Sequence, residues 1–169
     1  ITAGIGAITS AISSLASGMI QGNAEFEQYQ QRFEVLLKSA DAAKQRLAEL
    51  ADFGAKTPFD LPEVVRADTI LQGFGLHAEE AAKRFGFSGS EIRRIAGDVA
   101  SGSGASFEQI AGYLGKFSAG ATGEAIMRFQ ELGIVTREQL SKMGVEFDKS
   151  GALVSPLPAA MTALLKVMN

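Results

Sequence analysis

From Ile5, alternate steps of three and four residues land on Ile5, Ile8, Ile12, Leu15, Met19, Gly22, Phe26, Tyr29, Phe33, Leu36, Ala40, Ala43, Leu47 and Leu50. One step back reaches Ile1, and only Gly22 in the series is not apolar. A helix brings every third and fourth residue to one face, so this seven-residue period predicts one long amphipathic helix with a coiled-coil seam. At ~1.5 Å per residue such an arm reaches roughly 75 Å.

The two halves of the arm carry different flanks. After Glu25 the outer positions hold Glu27, Arg32, Glu34, Lys38, Asp41, Lys44, Arg46 and Glu49, an ordinary solvated surface. Before Glu25 no charged residue occurs, and small residues recur at Ser10, Ser14, Gly18 and Gly22. Interior glycine costs about 1 kcal/mol relative to alanine, and Gly4, Gly6, Gly18 and Gly22 all fall here. This half therefore needs a partner surface to stay helical. Isoleucine at both core positions of the repeat favours three strands or more. The expected oligomer seam is Ile1, Ile5, Ile8, Ile12, Leu15, Met19, Phe26, Tyr29, Phe33, Leu36, Leu47 and Leu50, with a homotrimer as the expected assembly. A second reading fits residues 1–24. The segment has the length to cross a bilayer, and its fourfold small-residue spacing suits close packing in lipid. Ile5, Ile8, Ile12, Leu15, Met19 and Ile20 would then be the membrane contacts, although the Ser, Thr, Gln and Asn content makes the segment weakly hydrophobic for that role.

Beyond the arm, residues 55–169 predict a compact helical body, giving an all-α chain in two parts, 1–54 and 55–169. Gly54 is the expected C-cap of the long helix. Asp60 and Glu63 open the next helix, with Pro62 in its first turn, and Gly73 and Gly75 close it. Further helices are expected at about 78–85; at 91–100, after Ser88 or Ser90; at 107–117, after Ser106; at 123–132; and at 137–143, where Thr136 and Gln139 make a capping box. Alternating runs around Lys149-Ser150-Gly151 predict a small β-hairpin at about 145–155, and Pro158 opens a final apolar helix.

Composition narrows the chemistry. The net charge of −3 argues against a nucleic-acid surface, which shows a basic patch. With no Cys and one His, a metal site would need carboxylates alone. Gly115-Lys116 is followed by Phe117, so it lacks the Ser or Thr of a phosphate-cradling loop. Gly102-x-Gly104 lacks a third glycine and a preceding strand. His77 has Glu79 and Glu80 nearby, yet no nucleophile or water site accompanies it, and a turn residue is the simpler reading. No enzyme activity, cofactor or metal is expected. The chain opens on Ile1 rather than Met and is expected to be a piece of a longer protein; the first charged residue is Glu25, so the start lacks the basic region of a secretory signal.

A set of phrases adds a family likeness. They are Glu25-Phe26-Glu27, Phe33-Glu34-Val35-Leu36-Leu37, Asp41-Ala42-Ala43-Lys44, Leu47-Ala48-Glu49-Leu50 and the run Ala55-Lys56-Thr57-Pro58-Phe59-Asp60-Leu61-Pro62-Glu63-Val64-Val65. Leu71-Gln72-Gly73-Phe74-Gly75, Ile95-Ala96-Gly97-Asp98-Val99-Ala100 and Phe129-Gln130-Glu131-Leu132-Gly133-Ile134 continue the series. Over about residues 24 to 147 the chain resembles the core module of phage tail tape measure proteins, and the Thr-Pro-Phe-Asp-Leu-Pro string is the most specific part. The resemblance implies a structural virion protein that lies inside the tail tube in few copies, sets tube length, and leaves ahead of the DNA to assist genome ejection. It implies tail tube and baseplate or hub proteins as partners, transient contact with the host envelope, and no catalytic residues in this module. The chain departs from the family in being short, without the long ruler region. Two alternatives stand beside this reading: a membrane-active, pore-forming or fusion-like module acting through residues 1–20, and a cellular helical adaptor that binds a partner helix along the same stripe.

Overall fold

The computed structural model describes residues 23–77 and 79–169. Among them are nine α-helices and no strand longer than an isolated bridge. The chain divides into two compact units, residues 1–65 and 66–169.

The first unit holds α1 (Asn23–Leu37), α2 (Ala40–Ala55) and the start of α3 (Leu61–Gly73). The single long helix expected over 1–54 is corrected here: within its described part the chain turns a corner at Lys38-Ser39. Lys38 takes a left-handed conformation with φ 54°, and Ser39 is extended at φ −157° and ψ 123°. Ser39 then accepts the Ala42 N–H at 3.2 Å and starts a new helix as its N-cap. The two helices pack against each other. Phe33 and Ala43, equally far in sequence from Lys38, are both fully buried, as are Leu47 and Leu50.

Gly54 lies inside the last turn of α2 rather than capping it; Lys56 is the C-cap, its N–H bonded to the Phe53 carbonyl at 3.1 Å. The turn that follows brings the Phe59 carbonyl to 3.4 Å from where a Gly54 Cβ would stand, an ordinary van der Waals contact. Asp60 accepts the Glu63 N–H at 2.8 Å and opens α3, as expected. Val64 and Val65 are fully buried.

The second unit holds the rest of α3, then α4 (Glu79–Phe85), α5 (Gly89–Ser103), α6 (Phe107–Ser118), α7 (Thr122–Glu131), α8 (Arg137–Lys142) and α9 (Leu157–Met168). Three of these begin with reciprocal capping boxes: Ser88 with Glu91, Ser106 with Gln109, and Thr136 with Gln139. Successive helices α5, α6 and α7 pack in sequence, and α9 returns to lie against α4, α5, α6 and α8. The core between them is aromatic and aliphatic: Phe85, Phe107, Phe117 and Phe129 are buried with Ile92, Ile95, Ile110 and Leu164. Tyr113 meets Phe129 edge-on, with centroids 5.8 Å apart. The α5 helix is longer than its sequence signal. Ser101, Gly102 and Ser103, beyond the expected end at 100, continue it, and Gly104 ends it in a left-handed C-cap at φ 73°.

The hairpin expected at 145–155 is present only in outline. One bridge pairs Phe147 with Leu153, supported by Asp148 N–H to the Ala152 carbonyl and Val154 N–H to the Glu146 carbonyl, both at 2.9 Å. Gly151 supplies φ +83° at the turn.

Candidate functional site

The residues singled out in the sequence fall into three groups. Ile1, Ile5, Ile8, Ile12, Leu15, Met19 and Ile20, the first half of the seam and all of the proposed membrane contacts, lie outside the described residues. Among the described residues no helix is long and apolar enough to cross a membrane. Phe33, Leu47 and Leu50 are completely covered within the single chain. These three are thus packed within the chain itself in this structure. The physical reason is the Lys38-Ser39 corner: it lets one chain bury its own stripe instead of running straight along a neighbour.

What remains open in the first unit is narrower. Phe26 and Tyr29 are half-buried. Leu36 is 49% exposed and Val35 78% exposed, side by side at the end of α1. Two neighbouring apolar residues exposed to this degree make only a small patch.

The other candidate positions have structural work. Gly115 is buried in α6, and the Phe74 ring lies over it so closely that a Cβ there would stand 2.0 Å from the ring's Cδ2. Lys116 forms an ion pair with Glu124 at 2.6 Å, which holds the Glu124 carboxyl below its ordinary range. The backbone of half-buried His77 faces Gly89, where a Cβ would come within 2.4 Å of the His77 carbonyl oxygen. Among the described residues no group of three or more His, Cys, Asp or Glu side chains converges on a point where a metal ion would fit.

Among the described residues, one cluster that the sequence reading missed is ionic and buried. Asp68 on α3 and Arg93 on α5 pair at 2.9 Å, and the second oxygen of Asp68 accepts from Gln72 Nε2 at 2.8 Å. Both charged side chains are nearly sealed from water. A signal was available. Ala96, Gly97 and Ala100 follow Arg93 at helical spacing and are buried with it; three small neighbours leave room for one long side chain on a packed face. A buried pair of this kind fixes which helices meet, and it needs each partner to neutralise the other.

Open clefts lie on the surface of the second unit among the described residues, two of them well defined. One, of about 500 Å³, is lined by Ser141, Gly144, Val145, Glu146, Phe147 and Val154. The other, of about 280 Å³, lies where the end of α5, the turn after α7 and the end of α9 meet.

No family model, no curated protein and no solved structure matches the chain.

Proposed function

We propose that this chain is a structural segment of a phage-type tail tape measure protein, a non-enzymatic helical element that resides in the tail tube and is released ahead of the DNA. The observation that carries the reading is the Ala55–Val65 string, the most specific part of the resemblance. Its residues have architectural roles. The Thr57 hydroxyl donates to the Phe53 carbonyl at 3.0 Å, and the Thr57 N–H donates to the Gly54 carbonyl at 3.3 Å. Asp60 caps α3, Pro62 sits in its first turn where a missing N–H costs nothing, and Val64 and Val65 are buried. A string in which Thr57, Asp60, Pro62, Val64 and Val65 shape a helix-to-helix junction suits a protein that works by shape.

Self-association belongs to the same proposal, confined to the stripe ahead of Phe33 together with Leu36. The homotrimer is the expected state, and partners in the tail tube and the baseplate or hub follow from the family likeness. Quantitative mass spectrometry of purified tail particles tests the assignment. The parent protein should copurify in a few copies per particle, far below the tube subunit. Its absence from particles, with full recovery in the particle-free fraction, would overturn the proposal.

A further inference from the structure

We draw no further inference here: the strongest candidate, the open cleft where Val99 of α5, Leu132 and Ile134 of the turn after α7, and Val167 and Met168 of α9 come together, carries nothing because nothing in the structure shows what covers it.

Discussion

Asp68 and Arg93 hold each other at 2.9 Å with only 2% and 6% of their side chains open to solvent, so a full ion pair joins α3 to α5 inside the second unit. Removing one partner leaves the other charged and sealed from water. Such a loss costs about 3–5 kcal/mol, whereas replacing both partners with apolar residues of similar volume is often neutral. Asp68→Ala and Arg93→Met should each lower the stability of the chain by that order in urea titrations. The double variant Asp68→Leu, Arg93→Met should recover most of the loss. Strictly additive losses would show that the pair is not coupled as described.

Gly115 and Gly89 make a contrasting pair. At Gly115 a methyl group collides with the Phe74 side chain; at Gly89 it collides with the backbone of His77. Gly115→Ala should destabilise by about 1–3 kcal/mol, the usual range for overpacking. Adding Phe74→Ala should remove that clash and let alanine's helix preference, about 1 kcal/mol over glycine, emerge. The double variant should thus be at least as stable as Phe74→Ala alone. Gly89→Ala should also destabilise, but His77→Ala should give no rescue, because the colliding atoms are main chain. Thermal denaturation of the five variants checks both statements.

The turn of the hairpin should respond to acid. The Asp148 carboxyl is held below its ordinary value of 3.8, first by the Ser150 hydroxyl at 2.6 Å, then by the Ala152 N–H at 2.9 Å. A folded-state pKa lowered in this way adds stability that is present above the unfolded value and is lost as pH falls through the folded one. The amide signals of Ser150 and Ala152 should therefore hold steady from neutral pH down to about pH 4 and shift together only below it. Asp148→Asn should abolish that shared transition. Amides that drift gradually across the whole range would contradict the assignment.

Much of the body was legible because its signals are local. Ser106, Thr136 and Asp60 each sit where a helix needs an acceptor for its free N–H groups, and each caps as expected. Phe107, Ile110, Leu114 and Phe117 share one helical face, and all four are fully buried. The corner at Lys38 was not legible in the same way. The three-four spacing runs straight through it, and a lysine with positive φ carries no sequence mark, since that region favours glycine or asparagine. Ser39 with Asp41 two residues on was the one available hint of a new helix start, and an unbroken hydrophobic period overrode it. The small residues after Arg93 marked its burial, but its partner Asp68 was hidden for another reason. The pairing depends on which two helices meet, and periodicity within one helix does not contain that.

We propose that the tape measure protein to which this segment belongs sets the length of a tail tube. The direct measurement is tube length by electron microscopy after a helical block is inserted into the parent protein outside residues 24–147. If the inserted block lies along the tube axis as helix, the account predicts tubes longer by about 1.5 Å per inserted residue. Tubes of unchanged length, with the longer protein incorporated at its normal copy number, would contradict it.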